Sequence, residues 1–497
     1  MSAPETRRLS PGLALGGLGL LAVLLAGIAK AVLIRDLEYG GSDFYSFLEM
    51  SWSWLYAGLL HDNDYGFHGA IHNFYLLPAL APLTVTLGAY GLVVVLVLAY
   101  GAAVVRVAGC RALDTSARVA VLAGSLGPFA FYAFDNPHWG FHPEVLYPPL
   151  ALLLALELLE GWTWRAVALA GIMVLVKEDG ALVCGAVVLT HTVWRVGVAR
   201  QTSKEEARRA LRTGLLGLLV LAAVFLAGMA LLAFMSHQHA GAQTTSADRL
   251  APAVRAVART LTGHGRVRLL RLLDALRVYL LMSVLMLLPL GRRLPRGLLL
   301  FGSVVTPLLA VVVVSSAVYR FNMMLWAPRI ATLQAGVVAA LVFASAAPKG
   351  RRSSPLGVVA LLAVVSWAGQ VGVLHRMGYP LGTRIAALGS AFGPPRSPLG
   401  PAEDRYLRCV ASRLPWALPV SAAGNAHPLF HRQSLIFETR AAHPWHPARL
   451  RVRHASKSSA GREPTPCRGP QVGSFAIEAE CDLLPLFADC APGKDRP

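Results

Sequence analysis

The sequence predicts an all-α polytopic membrane protein of about eleven transmembrane helices, with a small α/β domain at its C-terminal end. Three observations carry this expectation. Of 497 residues, 55% are hydrophobic and only 15% charged, with a mean hydropathy of +0.53; a soluble chain carries roughly a quarter charged residues. Apolar runs of about 20 residues, the length that crosses a bilayer, recur as far as about residue 374. From His375 the chain turns polar and takes on the pattern of short strands. The expected boundaries are therefore 1–374 for the membrane part and 375–497 for the soluble part.

The net charge is +19, from 46 Lys and Arg against 27 Asp and Glu. The arginines are scattered between apolar runs, so they read as loop charge that orients the spans. They do not form the continuous basic face of a nucleic-acid binder. The expected partner is the bilayer, with no nucleic acid.

Arg7 and Arg8 precede the first run, 13–33. It is too long for a signal-peptide core and closes on Lys30 and Arg35, so it reads as an uncleaved span with the N-terminus inside. The next stretch, 40–73, is polar and aromatic. Within it Phe44, Phe47, Leu48, Trp52, Leu55 and Leu59 recur at helical spacing, which predicts a helix lying along the outer surface. Residues 74–107 supply a Pro-marked segment and the second span, and Arg106, Arg111 and Arg118 mark an inner loop.

The third span, 119–134, opens into Asp135-Asn136-Pro137-His138-Trp139-Gly140-Phe141-His142-Pro143-Glu144. Spans four and five, 145–159 and 166–176, rise only roughly 16–22 Å at 1.5 Å per residue. Their outer ends are expected to sit sunken in a cavity. Lys177-Glu178-Asp179 follows, then the sixth span (181–198), a basic inner loop (200–212) and the seventh span (215–234). A polar outer loop to about Arg271 precedes spans at 276–290, 297–318, 328–346 and 355–374. Basic inner loops at 292–296 and 349–352 separate them. This alternation sets the C-terminal domain outside. It also leaves Arg249, Arg255, Arg259, Arg266, Arg268 and Arg271 outside, against the usual rule, so either the span count differs there or those arginines bind something anionic.

In the C-terminal part, Pro401–Arg413 predicts a helix, and 416–422, 434–439, 450–454 and 475–477 predict strands. The stretch 393–401 reads as the linker. Cys110 and Cys184 fall in apolar surroundings. Cys409, Cys467, Cys481 and Cys490 lie in the outer domain, where they are as ready to stay thiols as to pair.

Three consecutive ionisable side chains between apolar runs each cost several kcal/mol near a bilayer centre, so Lys177-Glu178-Asp179 must reach a face or a polar cavity. The alternation puts Asp43, Glu49, His72, the 135–144 loop and 177–179 on one outer side. Carboxylates and imidazoles gathered there suit acid–base work. Asp43 and His142 could also hold a divalent cation, Mg or Mn, near a leaving phosphate. Ordinary readings compete. Asp43 suits an N-cap, Glu178 and Asp179 suit the start of the sixth span, and Lys177 could snorkel from the fifth. His61, His68 and His138 read as polar loop residues.

These residues carry a resemblance. Asp43, His72 with Pro82, Trp139-Gly140-Phe141-His142-Pro143 and Val176-Lys177-Glu178-Asp179 resemble, in order, the motifs of a bacterial family of multi-pass membrane proteins of unknown function. Leu414 to Phe437, with Val420-Ser421-Ala422 and His427-Pro428, is similar to that family's outer strand–turn–strand. The family is itself similar in architecture to GT-C lipid-linked-sugar glycosyltransferases. The chain departs from the pattern at Gly140, where the family has Asp, and at Phe74-Tyr75, where it has Ser-Pro. Glu49 is the nearest candidate for a displaced second carboxylate in the first loop.

The resemblance implies a GT-C-like fold in a bacterial inner membrane. It also implies transfer of a sugar from a polyprenyl-phosphate-linked donor to an acceptor at the outer face. Asp43, Glu49, His72, His142, Glu178 and Asp179 are then the catalytic candidates. Lys177, Glu144, Arg249, Arg255, Arg259 and Arg320 are the candidates for binding the donor. A transporter or flippase, or a non-catalytic envelope-assembly protein, is the alternative.

Overall fold

Long runs of Leu, Val and Ala fold as helices because, away from water, only bonds within the segment satisfy the backbone. The computed structural model describes residues 11–39, 43–64, 66–135, 140–238, 246–262, 266–317, 319–346, 354–436, 446–454 and 467–490. The first helix is α1 (Pro11–Arg35), followed by the short α2 (Asp43–Trp52) and a two-stranded ribbon of β1 (His61–Asp62) and β2 (Gly66–Phe67). Next come α3 (Ala81–Leu87) and α4 (Ala89–Gly109), broken at Gly88, and the bent pair α5 (Thr115–Ser125) and α6 (Pro128–Phe134). This pair turns by 47° at the residues before Pro128, which lacks the N–H that would continue a helix.

Then follow α7 (Tyr147–Glu160), α8 (Trp164–Val176), α9 (Gly180–Ala199), α10 (Lys204–Gln238), α11 (Ser246–Leu261), α12 (Arg266–Leu287), α13 (Leu294–Ala317), α14 (Ala327–Ser345) and α15 (Leu356–Arg376). All 19 residues of α14 are buried, which makes it the axis of the bundle.

Each of the eleven apolar runs is helical. Among the described residues, seven stretches are long and apolar enough to cross a membrane, or eight if α5 and α6 form one span. One of the seven, Arg266–Ala317, holds both α12 and α13, of 22 and 24 residues. Arg271 near the start of α12 bonds Asn322 just beyond α13, so the two run antiparallel. Helices α7 and α8 have 14 and 13 residues, or about 20 Å each, and fall short of a hydrocarbon core of about 30 Å.

Polar contacts sort the connecting segments into two ends. At one end Arg106 pairs with Glu157 and Glu160, each at 2.6 Å, and Arg293 joins Asp114 and the Ser345 carbonyl. At the other end lie the turns before α7, α9 and α14 and the C-terminal domain.

Three expectations change. The helix expected along the surface is α2, and its residues from Phe44 to Trp52 are all buried. It sits between α3 and the C-terminal sheet, so the apolar spacing served a two-sided core and not a membrane plane. The basic stretch expected as a loop at 200–212 is mostly the opening turns of α10, where Glu205 and Glu206 favour a helix N-terminus. The outer loop to Arg271 is α11 and the start of α12. The 349–352 loop, the N-terminal Arg7 and Arg8, and residues 437–439 of the expected strand lie outside the described residues.

After α16 (Leu381–Gly389), the expected linker is held in place: Arg35 donates to the carbonyls of Ser390 and Gly393 at 3.0 Å. The helix α17 (Pro401–Arg413) has the predicted bounds. A five-stranded sheet follows, built from β3 (Pro419–Ala422), β4 (Ser434–Ile436), β5 (Leu450–His454), β6 (Cys467–Val472) and β7 (Phe475–Ala479) in the order β4-β3-β5-β7-β6. Strand β3 is parallel to both its neighbours, and β7 is antiparallel to both of its own. Disulfides join Cys409 to Cys490 and Cys467 to Cys481, while Cys110 and Cys184 are buried thiols.

Candidate functional site

The turn from α8 to α9 builds the site. Lys177 is fully extended (φ −167°, ψ 167°). Gly180 then opens α9 so close to α8 that a Cβ there would collide with the Met173 carbonyl, and only glycine fits. This reversal sends three successive side chains to three separate partners. Lys177 Nζ donates to Glu144 Oε1 at 2.6 Å. Glu178 meets His72 Nδ1 at 2.8 Å and accepts from the Asn73 N–H at 3.2 Å. Asp179 Oδ1 accepts from the Tyr147 hydroxyl at 2.5 Å. Asp179 stands at the N-cap of α9 but its side chain does not cap it.

His142 lies one residue before the Pro143 turn that leads into α7, and its Nδ1 bonds the second oxygen of Glu144. The His142 ring is walled by Phe47 at 4.5 Å, Trp326 at 4.8 Å and Phe74 at 6.1 Å. Phe74, one of the two departures from the family pattern, is thus part of this aromatic wall. Asp43 is the first residue of α2, partly exposed, where the positive end of the helix dipole favours a carboxylate. It lies within electrostatic reach of His142 and of His68.

Burial disfavours charge on Glu144, but His142 and Lys177 beside it hold its carboxyl well below the usual carboxylate range. Burial likewise opposes Glu178, and His72 and Lys177 bring it down to about 2. Burial raises the Asp179 carboxyl. It lowers the imidazoles of His142 and His68. An ionised Glu144 can only accept, so the His142 Nδ1 that meets it is the donor.

The structure therefore gathers Asp43, His72, His142, Glu144, Lys177, Glu178 and Asp179 at one end of the bundle. Glu49 does not join them. It lies six residues along α2 on another face, where it accepts from Tyr56 and Ser434 hydroxyls at 2.5 and 2.8 Å and from the Leu435 N–H at 3.3 Å. Its role is to fasten the C-terminal sheet to α2, and burial, then Asp62, push its carboxyl well above the usual range. Arg255 and Arg259 are exposed on α11, and Arg320 is exposed in the turn before α14. None of the three is buried in the cluster. The side chain of Arg249, like His138 and the Trp139 of the expected motif, lies outside the described residues.

Asp135 also stands apart. It is fully buried with Lys30, Tyr39, Tyr379 and Arg384, and Lys30 also donates to the Gly140 carbonyl. Gly140, at φ +67°, would press any Cβ against Tyr39 and Phe44, so its conformation and its tight surroundings both favour glycine. This network holds Asp135 and Gly140 in place, Gly140 two residues ahead of His142.

Sequence reasoning missed His68, Tyr147 and Arg329. His68 is half-buried 4.0 Å from the Asp62 carboxylate, and the crowding of His61, Asp62, His68 and His72 in one short stretch was the available signal. Arg329 had a clearer one, a lone charge in the opening of an apolar run. A cation held by Asp43 and His142 does not fit. Among the described residues no group of three or more His, Cys, Asp or Glu is arranged to hold a metal ion. The donors nearest His142 are already engaged, since Glu144 is shared between His142 and Lys177.

Fold and site together define a class: a polytopic helical membrane protein with a buried carboxylate–imidazole–lysine cluster beside a disulfide-bonded α/β domain. No protein-family model, curated protein or solved structure matches the chain.

Proposed function

We propose that this protein is an integral-membrane glycosyltransferase of GT-C-like architecture with eleven spans. It would move a sugar from a polyprenyl-phosphate-linked donor to an acceptor at the outer face of a bacterial inner membrane. The observation that carries this reading is the meeting of Asp43, His142 and Lys177–Asp179 at one end of an apolar bundle, in the motifs that resemble the family. In this reaction Asp43 takes the proton of an acceptor hydroxyl, whose oxygen attacks the anomeric carbon of the donor. The bond from that carbon to the phosphate oxygen breaks, and the phosphate leaves with the electron pair. Asp43 stands at the first residue of α2, open to an incoming acceptor.

His72 and His142, each tied to a glutamate, have fixed ring orientations and line the site. Phe47, Phe74 and Trp326 offer faces on which a sugar ring can rest. The short α7 and α8 support a site sunk below the membrane surface, within reach of a lipid-borne phosphate. Two disulfides in the C-terminal domain support an oxidising compartment on that side, which agrees with the charge alternation of the loops.

The test uses the purified protein in proteoliposomes with polyprenyl-phosphate sugars extracted from membranes of the source cells. Release of free polyprenyl phosphate is measured. The wild type should release it, and Asp43→Asn should slow release by roughly 100-fold or more. Equal rates for the two proteins would sink the proposal.

A further inference from the structure

Helix α11 carries three kinds of side chain on three sides. Ala253, Ala256, Val257 and Thr260 recur at helical spacing and turn inward, where α11 packs against α13. Ala251, Val254, Ala258 and Leu261 form a second stripe at the same period, and all four are exposed. Val254 is 50% and Leu261 63% exposed, so no described residue covers this apolar stripe. Arg255, Arg259 and, just past the helix end, Thr262 make the third stripe. It is also exposed and lies about a quarter-turn further round the helix.

The surroundings of α11 identify what lies against these two outer stripes. Its partner α13 belongs to a stretch apolar enough to cross a membrane. The next helix, α12, starts at the end of the bundle that carries the candidate residues, since Arg271 bonds Asn322 in the turn before α14. The opening of α12 repeats the mixture: Arg266 is exposed, as are Val267 and Leu270. From Ala251 to Leu273 the chain carries five arginines and no acidic residue. Arg271 is engaged by Asn322, and Asp274 by Arg277 at 3.1 Å. Arg255, Arg259 and Arg266 have no acidic partner among the described residues. An apolar stripe beside a basic one, on a helix that flanks a membrane span, suits the boundary between hydrocarbon and headgroups. Acyl chains cover Val254 and Leu261 there, and a guanidinium forks onto a headgroup phosphate. A soluble anion would leave the apolar stripe in water, so the partner that fits both stripes is a lipid.

We infer that α11 lies in the headgroup layer of the bilayer and that Arg255, Arg259 and Arg266 bind the phosphates of anionic phospholipids such as phosphatidylglycerol. Arginines that break the usual charge rule are thereby held by bulk lipid and not by the sugar donor. The inference stands apart from the glycosyltransferase reading, and no turnover enters its test.

The experiment places a bimane fluorophore on Ala258→Cys, in the apolar stripe of the full-length protein in phosphatidylcholine nanodiscs. The described cysteines are bridged or buried and escape the label in the folded protein. Quenching is compared for phosphatidylglycerol and phosphatidylcholine, each carrying a doxyl group high on one acyl chain. Half-quenching by the anionic lipid should need a mole fraction roughly fivefold lower or less, the attraction of about one arginine at an anionic surface. Arg255→Gln, Arg259→Gln and Arg266→Gln together should bring the two lipids level, as should molar salt. These side chains are exposed, so the triple variant should keep the wild-type melting midpoint. If it does not fold, Arg255→Gln alone should remove part of the preference. Quenching by neither lipid would place α11 away from the bilayer and overturn the inference. So would equal quenching by both in the wild type, or a preference that survives the arginine changes. Displacement of the anionic quencher by farnesyl phosphate equimolar with the protein would assign the arginines to a lipid-linked donor and overturn it as well.

Discussion

Lys177 and Glu144 form the buried ion pair around which the other side chains are arranged. Removing one partner leaves the other charged and unsolvated, at a cost of about 3–5 kcal/mol. Lys177→Met should therefore lower the denaturation midpoint in detergent sharply, and Lys177→Met with Glu144→Gln should recover much of the loss. Additive losses would show that the two do not act as a pair. Glu178 gives a pH signature. Its carboxyl is held at about 2 against an ordinary 4.5. Its contribution to stability is present above the ordinary value and is lost as pH falls from there towards 2. Glu178→Gln should therefore flatten the acid limb of the stability profile over that window, measured by thermal melts at stepped pH. An unchanged limb would contradict the His72–Glu178 contact.

At the scale of elements, the α8–α9 reversal makes a sharp contrast testable. Gly180→Ala places a methyl group against the Met173 carbonyl and should destabilise by about 1–3 kcal/mol. Gly171→Ala, in α8 with open space at its Cβ, should be neutral or slightly stabilising. Equal effects would mean the tight turn is not needed. The Lys177-Glu178-Asp179 turn was legible in the sequence because three charges between apolar runs have few places to go. Helix α2 was less legible. Its apolar spacing reads alike for a membrane surface and for a core covered on a second side by the C-terminal sheet. The partners of Glu49 were equally hidden, because Ser434 and Leu435 lie nearly four hundred residues away in the chain. Lys30 was taken as the end of a span, since nothing local reveals that Asp135 and the Gly140 carbonyl wait for it inside the bundle.

For the whole molecule, the apolar runs foretold the helices because composition alone decides between lipid and water. They could not settle how many runs cross, since α7 and α8 are short and α5 and α6 make a bent pair. Sequence spacing also left the cysteine pairing open, whereas the fold brings both pairs together, Cys409 of α17 with Cys490 and Cys467 of β6 with Cys481. Under denaturing conditions the unreduced protein should take up two maleimides, at Cys110 and Cys184, and the reduced protein six. Uptake of six without reductant would contradict the bridges and, with them, the support for an oxidising compartment. The most direct test of the central claim is a mass-spectrometric profile of lipid-linked sugars and envelope glycans. It compares cells carrying the wild type with cells carrying Asp43→Asn at equal membrane abundance. The account predicts that one polyprenyl-phosphate sugar accumulates in the variant and one glycan product disappears. Identical profiles, with the variant folded and in the membrane, would contradict it.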